Sequence, residues 1–246
     1  MVSVCMATYN GERFVKQQIE SILAQLGIED ELIISDDGSM DSTVSIIESF
    51  HDPRIKLLRH LQPSYKSRYY QTNVNIASNF ENALKHSKGD YIFLSDQDDI
   101  WAEGKVAKMK EITILSKGVV MSSFMVIRED DSVKTKKVTP PIRSLLGAVI
   151  DAKFLGSSMC LSRNFLSFAL PFPRGVVSHD AWIGLLAVYN KKLTVIDEPL
   201  LLYRRHGTNA TSKGKKTPLF YKLAYRFNIL YQVIKRSKRN KYNGME

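Results

Sequence analysis

The first half of the chain alternates short apolar runs with stretches of helical spacing, and no other feature limits its fold as strongly. Val2–Ala7 reads as a strand, after which Phe14, Val15, Ile19, Ile22 and Leu23 recur at helical intervals. The pattern repeats as strand Glu31–Ser35 with helix Asp41–Phe50, strand Ile55–Leu58 with helix Asn75–His86, and strand Asp90–Ser95 with helix Lys105–Ser116, before a further strand at Val119–Val126. Strands and helices alternating at this length imply right-handed crossovers and a mostly parallel sheet, the doubly wound α/β class. Open sheets of this kind bind ligands beyond the carboxyl ends of their strands. Thr8-Tyr9-Asn10, Asp36-Asp37-Gly38-Ser39 and Asp96-Gln97-Asp98-Asp99 each follow a strand directly, so the topology predicts three polar loops on one rim.

After about residue 128 the alternation weakens. A polar stretch, Arg128–Lys137, leads to Pro140-Pro141, followed by a mixed region (Ala152–Ser162), a helix pattern at Asp180–Tyr189 and two short strands, Leu193–Ile196 and Leu200–Arg204. The expected organisation is a single domain over residues 1–211, whose second half (128–211) forms a substrate-specific subdomain on the same sheet as the first (1–127). A basic amphipathic extension occupies 212–246.

The net charge of +10 becomes informative once located. Residues 212–246 hold ten Lys and Arg and one acid, Glu246, so the extension carries +9 and the rest of the chain only +1. Leu219, Phe220, Leu223, Tyr225, Phe227, Ile229, Leu230, Tyr231, Val233 and Ile234 sit among Lys222, Arg226, Lys235 and Arg236. That mixture fits an interfacial helix on an anionic leaflet, with packing on the body as the alternative. Nucleic acid is not an expected partner, because no binding motif accompanies the charge. Apolar runs fall far short of the roughly 20 residues of a membrane span, and the N-terminus lacks the features of a signal peptide. The expectation is a cytoplasmic protein, peripheral on the inner face of the plasma membrane. Cys5 and Cys160 each lie in apolar, strand-like sequence without a partner at ligand spacing and read as buried thiols.

Three carboxylates in four residues at Asp96–Asp99 repel one another unless something cationic compensates. Hard oxygen ligands on a short loop suit Mg²⁺ or Mn²⁺ shared with a diphosphate. An acidic turn capping the helix that begins near Glu103 explains the same residues equally well.

The wider set of motifs decides between them. Ala7-Thr8-Tyr9-Asn10-Gly11, Ile34–Ser39 with Asp41, Gly89–Trp101, His179-Asp180 and Tyr203-Arg204-Arg205-His206-Gly207 occur in an order and spacing that resembles the family 2 glycosyltransferases of the GT-A fold. The likeness is greatest to bacterial rhamnosyl- and glucosyltransferases of O-antigen or capsule assembly. The resemblance implies a Rossmann-like nucleotide-sugar domain with a C-terminal helical extension. It implies a UDP- or dTDP-sugar donor held by Thr8, Tyr9, Asn10, Asp36, Asp37, Asn79, Asp96, Gln97, Asp98, Arg204 and Arg205. It further implies a Mg²⁺ or Mn²⁺ ion on Asp98, Asp96 and His206, an acceptor side formed by Asp99, Trp101 and His179, and Asp180 as the base of an inverting transfer. The implied acceptor is a polyprenyl-diphosphate-linked saccharide.

The residues themselves agree on two points: a carboxylate at Asp37 can accept the imide N–H of uracil or thymine, and Arg suits phosphate. Asp180 also has a plainer explanation as a carboxylate at a helix N-terminus. Gln62–Thr72, with Lys66, Arg68, Tyr69 and Tyr70, reads either as a lid over the donor or as a surface loop. A nucleotidyltransferase is a weaker fit, since Thr8–Arg13 is not a Gly-rich basic phosphate loop, and a non-catalytic relative is a weaker fit because every expected acidic position is filled.

Overall fold

The computed structural model describes residues 1–63, 67, 70–135, 137–140, 144–150, 154–174, 176–207 and 217–242. Lys66, Arg68 and Tyr69 of the segment read as a lid or a surface loop, Pro141, Ala152, and Lys213, Lys215 and Lys216 of the extension lie outside them.

Eight strands form one sheet: β1 (Val2–Thr8), β2 (Glu31–Asp36), β3 (Ile55–Arg59), β4 (Tyr91–Ser95), β5 (Ile100–Trp101), β6 (Val119–Ile127), β7 (Met159–Ser162) and β8 (Leu193–Arg204). Their order is β3-β2-β1-β4-β7-β6-β8-β5. β1 pairs in parallel with both β2 and β4, and β2 with β3. β6 pairs in parallel with β8, while β7 runs antiparallel to both β4 and β6. The mixed region of the sequence thus supplies the strand that joins the two parallel parts. The central strands are buried along nearly their whole length, as continuous apolar runs covered on both faces must be.

The helices are α1 (Val15–Leu23), α2 (Thr43–Glu48), α3 (Gln71–His86), α4 (Lys105–Ser116), α5 (Leu145–Ile150), α6 (Arg163–Ala169), α7 (His179–Tyr189) and α8 (Leu219–Tyr242). Two apolar clusters sandwich the sheet. Ile19 of α1, Ile47 of α2 and Met109 of α4 pack on one face with Val4, Ile34 and Phe93. Phe80 of α3, Phe165 of α6, Trp182 of α7 and Ile229 of α8 pack on the other with Cys5, Ile33 and Ile92. Both cysteines are buried thiols, and burial raises both pKa values.

Three expectations change. The two short C-terminal strands are one, β8, whose register against β6 slips between Ser122 and Ser123 and again between Ser123 and Met125. Pro199 stands opposite Ser123 at that slip, and without an N–H it cannot donate to the ladder. Helix α3 begins at Gln71, four residues before the expected start. The C-terminal extension is not a free appendage, because α8 lies along α7 and buries Ile229 and Val233 in the core.

Candidate active site

Adjacent strands β2, β1 and β4 deliver the three polar loops to one rim, and side chains bind them to one another. Asp36 is committed to its own turn. Its Oδ2 accepts the amides of Gly38 and Ser39 at 3.0 and 2.8 Å, and its Oδ1 accepts the hydroxyls of Thr8 and Ser39 at 2.9 and 2.6 Å. Asn10 takes a left-handed backbone (φ 46°); its amide donates to Ser39 Oγ and its Oδ1 accepts Met40 N–H, both at 2.9 Å. Gln97 pairs with the peptide of Tyr9 in both directions, accepting its N–H at 2.9 Å and donating to its carbonyl at 3.1 Å. A Cβ on Gly11 would stand 2.3 Å from Gln97 Oε1, so in this arrangement the Gln97 amide packs directly on a glycine.

These contacts give several residues of the expected donor set a structural part as well. Asp36, Thr8, Asn10 and Gln97 shape the rim by bonding one another, and Asn79 lies buried on α3, donating to the Thr8 carbonyl at 3.3 Å. Asp37 and Tyr9 lie beside them on the same rim. The Tyr9 ring is half exposed, and the Asp37 carboxylate is held by a residue that the sequence did not single out. His60 Nδ1 lies 2.6 Å from Asp37 Oδ1, and His60 Nε2 lies 3.0 Å from Ser78 Oγ on α3. Gln62 donates to the other Asp37 oxygen at 3.2 Å.

In the acidic loop the four residues part company. The Asp98 carboxylate meets His206, with Nε2 2.8 Å from Oδ2, and the His206 ring lies against Phe14 at 4.7 Å. Asp96 is half buried. Burial first, then the carboxylates of Asp99, Asp98 and Asp180, raise its pKa well above the usual carboxylate range. Asp99 is fully buried and accepts the amide of Arg204 at 3.0 Å; burial and then Asp98 raise it to about 7. Behind the loop, Lys105 is also fully buried, donating to the Ser157 carbonyl at 2.6 Å with its ammonium 4.4 Å from the Trp101 ring. Burial lowers Lys105 to about 7, and its position makes it part of the cationic compensation that the loop requires.

Arg204 belongs to this scaffold. It is buried, with Nε donating to the Asp98 carbonyl at 2.9 Å, a second nitrogen to Gln17 Oε1 at 2.7 Å, and the guanidinium paired with Asp131. Strand alternation turns Arg205 outward, where it is exposed. Tyr203 is a further residue the sequence did not assign: burial, and then Asp96, Asp99 and Asp98, push its phenol up to about 12.

Asp180 stands in the first turn of α7. Ser178 caps the helix by accepting the Ala181 amide and hydrogen-bonds Asp180, while Asp180 Oδ1 also accepts the Ala181 amide at 2.7 Å. The plainer capping role is therefore present. The same carboxylate nevertheless lies close enough to raise the Asp96 pKa, which brings α7 and the acidic loop to one space. Tyr225 of α8 closes that space: burial, then the Asp180 charge, raise its phenol, and its ring packs 5.7 Å from Tyr70.

The three residues expected on the acceptor side share one environment. Asp99, Trp101 and His179 are all buried. His179 stacks on Phe80 at 3.9 Å and presses its Nε2 against Gly156, where a Cβ would come within 2.6 Å. Burial lowers its pKa. Among the described residues, no three His, Cys, Asp or Glu side chains group closely enough to hold a metal ion by themselves.

A family model described as Glycosyl transferase family 2 matches residues 3–152. The chain is 31% identical over 198 residues to the UDP-Glc:alpha-D-GlcNAc-diphosphoundecaprenol beta-1,3-glucosyltransferase WfgD of Escherichia coli, covering 80% of this chain and 73% of that one. It is 25% identical over 229 residues to the dTDP-rhamnosyl transferase RfbG of Shigella flexneri, covering 85% and 76%. Other curated relatives run longer, and the chain spans 49% to 59% of their length. S. aureus TarS 1-349, solved in complex with UDP-GlcNAc, superimposes with a TM-score of 0.67 at 16% identity, covering 96% of this chain and 66% of that one.

Proposed function

Because the chain belongs to glycosyl transferase family 2 and has a GT-A fold, we propose that it moves a glucosyl or rhamnosyl group, with inversion, from a UDP- or dTDP-linked donor to a polyprenyl-diphosphate-linked saccharide. Relatives whose names carry a UDP-glucose donor, a dTDP-rhamnosyl donor and a diphosphoundecaprenol acceptor support this choice of substrates. The observation that carries it is the acidic loop itself, where the Asp98 carboxylate meets His206 at 2.8 Å on the rim beyond β1, β2 and β4, with Asp180 in the first turn of α7. A base on one side and a diphosphate-binding loop on the other are what a single displacement at an anomeric carbon needs.

In this proposal the Tyr9 ring stacks on the base, and Asp37, oriented by His60, accepts the imide N–H. The Asp180 carboxylate takes the proton from the attacking hydroxyl. Tyr225 and Tyr70 flank that hydroxyl and keep water from the donor. The exposed Arg205 reaches the departing diphosphate.

The residues fit a divalent cation of the Mg²⁺ or Mn²⁺ type that is shared with the donor. Asp98 and His206 already meet at 2.8 Å, and Asp96 adds a carboxylate whose charge is opposed by its neighbours. A site with so few protein ligands suits an ion that takes one or two carboxylates and completes its shell with phosphate oxygens. Such an ion, when bound, stabilises the negative charge that grows on the leaving diphosphate. The proposed setting is the cytoplasmic side of a membrane, and no helix among the described residues is long and apolar enough to cross one.

Donor binding is tested by thermal shift with UDP-, dTDP- and GDP-sugars, each with and without Mn²⁺. Stabilisation by uridine or thymidine donors alone, strengthened by Mn²⁺, is the expected result. Asp180→Asn should fold and bind donor normally but transfer no sugar; retained transfer sinks the assignment of the base.

A further inference from the structure

One face of α8 carries Leu219, Leu223, Phe227 and Tyr231, spaced four residues apart, with Phe220 beside them, and these side chains are between 42% and 75% exposed. Residues at this spacing share a helix face, so the stripe runs roughly 18 Å along the surface. The helix cannot roll to hide it. Its other side is fixed by Ile229 and Val233 in the core, by Asn190 donating to Ser237 Oγ at 2.9 Å, and by Arg236 donating to the carbonyls of Phe168 and Leu170 at 2.8 and 3.0 Å.

Next to the stripe, on the C-terminal half of the helix, lies a cleft of about 230 Å³ lined by Pro173, Arg174, Gln232, Lys235, Arg236 and Arg239. Four of these six are cationic and none is acidic. Arg236 and Arg239 thus face an entering anion together, with Glu81, among the described residues, the one carboxylate whose charge reaches Arg236.

An apolar stripe of this size on a surface marks an interaction site, and the charge selects its occupant. Residues 212–245 contain ten Lys and Arg and no acid, so a second copy of the same helix would bring like charge against like. An anionic bilayer offers an apolar layer to the stripe and phosphates to the cleft. We infer that α8 is an interfacial docking helix, with Leu219, Leu223, Phe227 and Tyr231 seated at the headgroup–acyl boundary of an anionic membrane and the Arg174–Lys235–Arg239 cleft holding a lipid phosphate. The consequence for catalysis rests on the transfer proposed above. Tyr225, on the same helix, feels the Asp180 charge, so docking brings the helix that lies beside the base to the membrane surface.

The test is flotation of the full chain with vesicles of phosphatidylcholine alone and of phosphatidylcholine with phosphatidylglycerol in equal parts. Binding to the anionic vesicles only is expected. Lys235→Gln with Arg239→Gln should weaken it roughly thirtyfold, taking about fivefold for each cation, and Leu223→Ser with Phe227→Ser should abolish it. All of these positions are on the surface, and unchanged melting and unchanged UDP binding establish that the variants fold. Equal binding to both vesicles, or variants that bind like the parent, overturns the inference. So does a dimer that the Leu223→Ser, Phe227→Ser variant dissolves without loss of vesicle binding. Transfer to a water-soluble, short-chain acceptor separates this proposal from the one it rests on: if the variants lose vesicles and keep that transfer, both stand, and if the parent binds vesicles but neither donor nor acceptor, only docking survives.

Discussion

His60 holds Asp37 from below, its Nδ1 2.6 Å from a carboxylate oxygen and its Nε2 braced by Ser78 at 3.0 Å. A proton on Nδ1 points at the carboxylate and turns one of its oxygens inward, which leaves the other for Gln62 and a ligand. Replacing His60 with Ala removes a charge-assisted bond, so nucleotide affinity should fall by roughly tenfold, the lower end of the range for such bonds. His60→Asn keeps a donor near the Nδ1 position and should restore most of it. Calorimetric titration with UDP checks both; an Ala variant that melts lower but binds UDP as tightly reduces His60 to a packing residue.

Gly11 and Gln97 should be coupled. A methyl group on Gly11 would stand 2.3 Å from Gln97 Oε1, so Gly11→Ala must push the amide away and break both of its bonds to Tyr9. The expected cost is about 1–3 kcal/mol of stability, as for other overpacked sites. In a Gln97→Ala background most of that cost should vanish. Urea unfolding of the four proteins closes the cycle, and strictly additive effects would show that the clash is relieved elsewhere.

The rim was legible in the sequence because each polar run follows an apolar strand, and parallel topology leaves only one end for them. Within a run, however, sequence does not say which carboxylate turns inward. Asp96, Asp98 and Asp99 look alike on the page, yet the backbone turn buries Asp99 under the Arg204 amide and leaves Asp98 to meet His206. Arg204 and Arg205 also look alike, yet Arg204 ends β8 buried among Asp98, Gln17 and Asp131 while Arg205, just past the strand, is exposed. His60, Lys105 and Tyr225 were invisible for a different reason. Each acquires its role from a partner brought close only by folding: Asp37, the acidic loop and Asp180 respectively. Tyr225 carried the further disadvantage of lying in a basic segment that reads as an appendage until α8 is seen packed on α7.

The pairing of Asp98 with His206 predicts how nucleotide binding responds to metal. If the two share an ion with the donor, UDP should bind more tightly with Mn²⁺ present, and EDTA should remove that gain. His206→Ala takes away one contact, so the Mn²⁺-dependent gain should shrink on the order of tenfold, while binding without metal changes little. Asp98→Asn should remove the gain altogether. A gain that survives both substitutions places the ion elsewhere.

His179 supplies a prediction in which the sign can be worked out. Burial lowers its pKa in the folded protein, whereas in the unfolded chain it titrates near the ordinary value of about 6.5. The unfolded state therefore takes up the proton first. Stability is at its full value above about pH 6.5 and declines as pH falls toward the folded value, with a slope of at most about 1.4 kcal/mol per pH unit from this one group. The ring stacks on Phe80, and its Nε2 has no hydrogen-bond partner among the described residues, so an apolar side chain of similar volume should be tolerated. His179→Leu should unfold in urea with a smaller loss between about pH 7 and about pH 5 than the parent shows. Because the side chain lies in the core, the variant should also keep transfer within a few-fold. Unchanged pH dependence together with abolished transfer would return His179 to the acceptor site from which its burial removes it.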